Sequence, residues 1–206
     1  MFLIYINDIG EKLISLSRLF ADDTSLGYSS QSVDQIKTVI NHDLLELNAW
    51  SSKWLMSFNP EKTEILFFSN TGNIDNIEFS FNGKCIPLST SHKHLGVILS
   101  QNAKWNEHLE NMITVINKYN QTFRYITKLK FRLNRSNLDK NVFSLHSPLF
   151  EYACEVWNNC GIGYSDKLEK FQLDAARIVT GLPIFTKLEY LYAETGWETL
   201  SERRYR

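Results

Sequence analysis

The sequence is poor in cysteine and proline, with three cysteines and four prolines among 206 residues. The cysteines at positions 85, 154 and 160 form no Cys-x-x-Cys pair, so neither a disulfide framework nor a zinc knuckle is indicated. The longest purely apolar run covers residues 1–6, which is too short for a membrane span and lacks signal-peptide features. These absences favour a soluble, intracellular protein of the nucleus or cytoplasm.

Acidic residues are missing from one internal segment. The net charge of the whole chain is −1, which excludes a protein that encloses nucleic acid with a uniformly basic surface. Residues 111–138 nevertheless contain no aspartate or glutamate, whereas acids outnumber bases in residues 1–110. This pattern is typical of a protein with one surface that faces a polyanion, although a solvated helix face would give it too. The cations of the segment are Lys118, Arg124, Lys128, Lys130, Arg132 and Arg135.

The first half of the chain alternates strand-like and helical patterns, which predicts the α+β class. Two strand-like runs flank Asp22-Asp23 and indicate a tight hairpin. Residues 32–35, Ser-Val-Asp-Gln, form a capping box that opens a long helix predicted to end at Asn59-Pro60. Asn82-Gly83 predicts a type I′ turn. Strands are predicted at residues 17–21, 24–28, 63–68, 77–81, 84–87 and 95–99.

From Trp105 onward apolar residues recur every three or four positions, which predicts helices to the end of the chain. On this spacing Tyr119 and Phe123 are core residues of the first helix. The boundary between the two halves is expected near residues 100–104. The predicted helices cover residues 105–126, residues 138–157 with a kink or restart at Pro148, and residues 165–180 with Gly181 after the last turn.

The adjacent carboxylates Asp22 and Asp23 are the most informative pair in the sequence. Two carboxylates side by side repel each other, and either solvent exposure or a bound divalent cation removes that cost. Hard oxygen ligands at a rigid turn suit Mg²⁺, which takes substrate phosphates as further ligands. Aspartates are also ordinary turn residues, so the pair alone leaves both interpretations open.

This pair belongs to an ordered series of motifs that covers nearly the whole chain. The series is residues 2–9, Phe-Ala-Asp-Asp-Thr at 20–24, residues 54–67 with Asn-Pro-Glu-Lys-Thr at 59–63, His-Leu-Gly-Val at 94–97, Trp105 with His108, residues 151–157, and Ala-Ala-Arg-Ile at 175–178 followed by Thr180-Gly181. In order and spacing these motifs resemble reverse transcriptases of non-LTR retrotransposons of the jockey type.

The resemblance implies a fold and a set of roles. Residues 1–102 would be a partial polymerase palm, antiparallel strands with one long helix, that carries the Asp-Asp hairpin and a primer-grip-like hairpin. Residues 103–206 would be an all-helical, thumb-like region. Asp22 and Asp23 would bind Mg²⁺ and be catalytic together with Lys62, which would protonate or neutralise the departing pyrophosphate. The implied primer-binding residues are Phe20, Ala21, Leu95 and Gly96.

The resemblance also implies a reaction and partners. The intact parent would catalyse RNA-directed DNA polymerisation, in which a primer 3′-hydroxyl attacks the α-phosphate of a dNTP with two metal ions. An RNA template, a DNA primer and the dNTP would be its partners. The six cations of residues 111–138 would neutralise phosphates of the duplex without reading bases.

Several parts of the family pattern are missing from the sequence. A third palm carboxylate, the fingers and a template-contacting Gln-Gly motif would all precede the motif at residues 2–9. We therefore expect a fragment that binds Mg²⁺ weakly and does not polymerise DNA alone. Its expected partner is the missing N-terminal segment, which would carry the rest of the palm and the fingers. Two alternatives remain: a non-catalytic nucleic-acid-binding or interaction module, and a retrotransposon relic without function.

Overall fold

A computed structural model of the chain describes residues 2–69, 77–128 and 133–204. The chain divides into two compact units, Met1–Ser91 and His92–Arg206. The described residues combine helices with short, mostly antiparallel strand pairs, so the predicted α+β class is confirmed. The finer division into palm and thumb remains a prediction. Among the described helices, none is both long enough and apolar enough to cross a membrane.

The first unit is built around one long helix. Ser32 caps this helix as predicted, since its hydroxyl accepts a hydrogen bond from the Gln35 amide at 3.4 Å. The reciprocal bond of a capping box is absent among these residues, because the Ser32 amide donates to the hydroxyl of Ser30. The elements in chain order are α1 (Phe2–Tyr5), β1 (Leu16–Phe20), β2 (Asp23–Gly27), α2 (Val33–Lys53), β3 (Ile65–Leu66), β4 (Phe79–Phe81), β5 (Lys84–Ile86) and β6 (Leu88–Ser89).

Short strand pairs cover α2 and complete the core of this unit. β1 pairs with β2 and β4 with β5 in antiparallel fashion, whereas β3 pairs with β6 in parallel. Asn82 and Gly83 have φ values of +52° and +73°, as the predicted type I′ turn between β4 and β5 requires. The buried core residues are Ile9, Leu44, Leu47, Ile77, Phe79, Phe81 and Ile86.

Helix α2 ends earlier than predicted, at Lys53 and not at Asn59-Pro60. The Met56 amide donates to the Ser51 carbonyl at 2.9 Å, and Leu55 between them has a φ of +55°. This is a Schellman motif with leucine at the left-handed position that glycine usually fills. The prediction was wrong because no glycine marks this helix end. The predicted strand at 63–68 is likewise reduced to the two residues of β3.

The second unit contains one hairpin and a set of packed helices. The hairpin consists of β7 (Ser91–His94) and β8 (Val97–Ser100). Leu95 and Gly96, predicted to begin a strand, form its turn. The helical elements are α3 (Asn106–Lys128), α4 (Arg135–Asn141), a π-helical segment (Val142–His146), α5 (Ser147–Glu151), α6 (Cys154–Trp157), α7 (Ile162–Thr180), α8 (Leu188–Thr195) and α9 (Leu200–Arg204).

The helix predicted over residues 138–157 is distorted before Pro148 and broken after it. The distortion is the π-helical turn, in which the Ser147 amide donates to the Val142 carbonyl. The break lies between α5 and α6, where Tyr152 is extended and Ala153 has a φ of +52°. Proline is tolerated because it occupies the first turn of α5.

Packing of α3 against α7 forms the core of the second unit. The core includes Leu109, Ile116, Trp157 and Leu168, all fully buried. Gly181 ends α7 with a φ of +69°, as predicted. Phe123 is buried as expected, but Tyr119 is 40% exposed. The neighbouring Asn120 takes the buried position instead and donates to the Phe171 carbonyl at 3.4 Å.

Candidate catalytic hairpin and nucleic-acid interface

The carboxylate pair lies at the tip of the β1–β2 hairpin. Phe20 pairs with Asp23 across the ladder, so the connection is the two-residue turn Ala21-Asp22. Ala21 has a φ of +52°, a left-handed conformation common at this position of tight hairpins. The sequence predicted both aspartates between the strands. The structure corrects this by one residue, since Asp22 is in the turn and Asp23 is the first residue of β2.

The two faces of this hairpin have different environments. Successive residues of a strand point to opposite faces, and residues paired across a ladder share a face. Leu26 packs against the core of the first unit. Phe20 and Asp23 therefore lie on the other face, together with Arg18, and all three are exposed, Phe20 by 61%. The hairpin thus presents an aromatic ring and a carboxylate together to solvent.

A buried carboxylate, not identified from the sequence, holds the base of the hairpin. Asp43 of α2 is fully buried and accepts hydrogen bonds from the amides of Ile14 at 3.0 Å and Ser15 at 2.7 Å. Burial acts to raise the pKa of Asp43, but its hydrogen bonds with Ile14, Ser15 and His42 outweigh burial and lower the pKa below its usual value. One sequence signal does indicate that Asp43 is buried: it lies three residues after Ile40, on the apolar stripe of α2.

Lys62 lies in a turn that follows α2. Asn59 organises this turn, because its carbonyl accepts from the Lys62 amide at 3.2 Å and its side-chain oxygen from the Glu61 amide at 3.0 Å. The Lys62 side chain is exposed. Within the described ranges, no hydrogen bond or ion pair joins it to Asp22 or Asp23. Its catalytic role therefore stays a prediction.

The hairpin tip offers only part of a divalent-cation site. Asp22 and Asp23 supply hard oxygen donors, and both are exposed, which suits Mg²⁺ because this ion keeps several of its waters. In the part of the chain that the structure describes, no group of three or more His, Cys, Asp or Glu side chains is placed to hold a metal. The donor type fits Mg²⁺, and further ligands would have to come from water, phosphate or another segment.

The predicted primer-binding residues Leu95 and Gly96 form the exposed turn of the β7–β8 hairpin. Their φ values are +46° and +86°. The positive φ of Gly96 favours glycine, and a Cβ at this position would lie 3.2 Å from Cε1 of Tyr152, which is closer than most side-chain contacts. The amide of Ile98 donates to Nδ1 of His108 at 3.4 Å, which ties this hairpin to α3. The histidine of the Trp-x-x-His motif therefore has a structural partner.

The acid-free segment acquires acidic partners through tertiary contacts. Arg124 forms an ion pair with Asp174 of α7 at 3.2 Å, and Arg135 forms one with Glu194 of α8. Lys118 is exposed on α3. The Lys128 side chain, Lys130 and Arg132 lie outside the described residues. The charge surplus seen in the sequence is thus partly neutralised, and the nucleic-acid-binding role of these cations stays a prediction.

Comparison with known proteins gives matches among curated sequences only. No protein-family model matches the chain, and no solved structure does. It is 22% identical over 92% of its length to the probable RNA-directed DNA polymerase from transposon BS of Drosophila melanogaster, and 20% identical over 90% to that from transposon X-element. It is 25% identical over 86% of its length to the RNA-directed DNA polymerase from mobile element jockey of Drosophila funebris.

These alignments cover 21%, 20% and 19% of the three relatives, so the chain spans about a fifth of the curated proteins it matches. The resemblance inferred from the ordered motifs is confirmed: over most of its length, the chain is similar to one part of the RNA-directed DNA polymerases of non-LTR mobile elements such as jockey.

Proposed function

We propose that the chain is one part of an RNA-directed DNA polymerase of a mobile element. The observation that carries this proposal is the hairpin tip, where Asp22 and Asp23 are exposed beside Phe20 in a chain similar to such polymerases. The complete protein would join a dNTP to a DNA primer on an RNA template. In that reaction the primer 3′-hydroxyl attacks the α-phosphate and pyrophosphate departs.

The residues of the tip have distinct roles in this proposal. Asp22 and Asp23 would hold Mg²⁺, which when bound stabilises charge on the reacting phosphate and lowers the pKa of the attacking hydroxyl. Phe20 shares a face with Asp23 and would support the terminal base of the primer. Ala21 has no side chain beyond Cβ, which lets a backbone approach the turn. Lys62 would neutralise the departing pyrophosphate.

Helix α3 supplies the second half of the proposal, exposed cations for the sugar-phosphate backbone. From residue 111 to its end α3 contains no acid, and Lys118, Arg124 and Tyr125 are exposed on it. Contacts from such cations to phosphates would not depend on the base sequence. We expect the duplex to compete with Asp174 for Arg124.

Asp22 and Asp23 alone are too few carboxylates for the whole reaction. Two adjacent carboxylates on one turn do not hold two cations together with a triphosphate in line for attack. We therefore expect the purified chain to bind primer–template without extending it. Metal-dependent extension of a primer by the 206-residue chain alone would contradict this expectation.

Binding of an RNA–DNA duplex across a range of salt concentrations tests the proposal. The double variant Lys118→Gln and Arg124→Gln removes two proposed phosphate contacts, so the slope of log Kd against log salt should fall by about 0.9 per contact. The control is Lys167→Gln with Lys170→Gln, an equal charge change on exposed positions of α7. Equal losses in both double variants would show that general charge, and not these two cations of α3, drives binding.

A non-catalytic nucleic-acid-binding module is the second candidate. It is favoured by the acid-free part of α3, where Lys118 and Arg124 are exposed and need no metal to contact phosphates. The two candidates differ in what Asp22 and Asp23 do. If Asp22→Asn and Asp23→Asn abolish the effect of Mg²⁺ on primer-end binding, the polymerase part is supported. If duplex binding has a steep salt dependence that neither substitution nor Mg²⁺ alters, the binding module is supported.

A further inference from the structure

One tyrosine from the helical part of the second unit holds the turn of the β7–β8 hairpin. The hydroxyl of Tyr152 donates a hydrogen bond of 2.6 Å to the carbonyl of Leu95. The Tyr152 ring also lies against Gly96, where an added Cβ would come within 3.2 Å of Cε1. Tyr152 and Leu95 are 57 positions apart in sequence, so this tertiary contact is separate from the hairpin's own ladder.

Two hydrogen bonds hold the backbone of Tyr152 in place. Its amide donates to the carbonyl of Pro148 at 3.0 Å, and its carbonyl accepts from Nε1 of Trp157 at 3.0 Å. Trp157 is fully buried in the core of this unit. The backbone of Tyr152 is therefore fixed from both sides, although the residue is 58% exposed. The connection runs from the core, through Trp157 and Tyr152, to the hairpin turn.

The backbone on both sides of this contact is unusual. Leu95 has a φ of +46° and Ala153 has a φ of +52°. The left-handed conformation is unfavourable for residues with a Cβ, and it persists where surrounding contacts hold it. Such residues concentrate at functional sites. Here one left-handed residue lies at the hairpin turn and the other next to the tyrosine that holds this turn.

We propose that Tyr152 is a positioning residue that fixes the β7–β8 turn where it meets the primer end. This inference rests on the proposed function, together with the primer contact that the sequence analysis predicts for Leu95 and Gly96. Tyr152 acts through the Leu95 carbonyl and the Gly96 backbone, and it need not touch the nucleic acid. Removing its hydroxyl would leave the ring in place and release the turn.

The first measurement uses the protein alone. Hydrogen exchange of residues 92–100 is compared between the wild-type chain and Tyr152→Phe. We expect exchange in this segment to become about two- to tenfold faster, as loss of one hydrogen bond allows. The matched control is Tyr164→Phe, which removes a 3.0 Å hydrogen bond to Glu110 in the same unit and should leave residues 92–100 unchanged. Unchanged exchange in Tyr152→Phe would refute the positioning role.

The second measurement separates positioning from a merely structural role. An RNA–DNA primer–template carries 2-aminopurine either at the primer 3′ end or inside the duplex. We expect Tyr152→Phe to keep the overall Kd but to lose most of the fluorescence change at the 3′ end, whereas Tyr164→Phe keeps both. A 3′-end signal that survives Tyr152→Phe would overturn the positioning role alone. If the wild-type chain gives no 3′-end signal, the primer-end contact that the proposed function requires fails, and the positioning role with it.

Discussion

The carboxylate of Asp43 accepts hydrogen bonds from the amides of Ile14 and Ser15, at 3.0 and 2.7 Å, immediately before β1 begins at Leu16. Each bond has a charged acceptor, and charge-assisted bonds are roughly twice as strong as neutral ones. The Asp43 side chain is wholly excluded from solvent, so its charge depends on these donors. This contact connects the middle of α2 to the strand that carries Phe20.

Asp43→Asn should destabilise the first unit. The amide side chain retains one acceptor oxygen but places an NH₂ group against a backbone amide, which leaves a buried donor unsatisfied. We expect a loss of about 2 kcal/mol in the free energy of unfolding. Urea denaturation and hydrogen exchange at residues 14–20 measure this loss. Asp34→Asn, at an exposed site in the first turn of the same helix, should cost only about 0.5 kcal/mol.

The same contact gives the stability of the first unit a defined pH dependence. The folded-state pKa of Asp43 lies below its usual value of 3.8, so the unfolded chain binds the proton more readily. The stabilisation is therefore complete above about pH 5 and is lost as the pH falls through 3.8 towards the folded-state pKa. Urea midpoints between pH 6 and pH 3 should show this loss in the wild-type chain. An equally steep loss in Asp43→Asn would assign it to other carboxylates.

Local sequence signals predicted the elements whose geometry is decided locally. Ser32 at the start of α2, Gly181 after α7 and the pair Asn82-Gly83 all behave as their chemistry requires. The failures occur where a residue with a Cβ takes the left-handed conformation that glycine usually adopts. At Leu55 and Ala153 this conformation ends a helix without a glycine to mark the position.

The candidate sites divide in the same way. The Asp22-Asp23 hairpin was identified because its signal is a short, continuous motif. The contacts that hold the two hairpins in place were not identified from the sequence. Asp43 and Ser15 are 28 positions apart, and Tyr152 and Leu95 are 57 positions apart. Pairings at such separations are decided by how the elements pack, which a local pattern does not contain.

The two glycines at the ends of α7 should respond in opposite directions to alanine substitution. Gly181 has a φ of +69°, so Gly181→Ala forces a Cβ into the left-handed region and should cost about 1 kcal/mol. Gly163 is the second residue of α7, and an added Cβ would meet no atom within 4 Å outside the backbone of the helix itself. Gly163→Ala should therefore stabilise by about 0.5–1 kcal/mol. Thermal unfolding of both variants measures the difference, and destabilisation by both would contradict the helix bounds given above.

A buried histidine should make the second unit less stable in mild acid. His146 of the π-helical segment is buried against the rings of Tyr119 and Phe123, and burial lowers its pKa below 6.5. Below pH 6.5 the unfolded chain binds a proton that the folded chain does not, so stability falls as the pH drops. Each pH unit over which this difference persists costs about 1.4 kcal/mol.

His146→Gln removes this titrating group and should flatten the dependence of stability on pH between 7.5 and 5.5. His108, also buried and with a pKa lowered by burial, contributes with the same sign. The stability of the double variant His108→Gln with His146→Gln should therefore depend less on pH than that of His146→Gln alone. The half-exposed His94 serves as the control, and an equal flattening in His94→Gln would contradict the assignment to the buried histidines.

Asp174 should restrain Arg124, one of the proposed nucleic-acid-binding residues of α3. Its two carboxylate oxygens contact Arg124 and Arg177, each at 3.2 Å. Asp174→Asn removes a negative charge and releases the Arg124 guanidinium for phosphate. We expect a lower Kd for an RNA–DNA duplex, because Arg124 is no longer shared between Asp174 and the duplex, and a salt slope steeper by less than about 0.9, the value for one full phosphate contact. Asp166→Asn is the matched control, because Asp166 is exposed on the same helix and pairs with no cation in the described residues. If both variants gain affinity equally, the gain reflects net charge alone, and Arg124 is not held back from the duplex by Asp174.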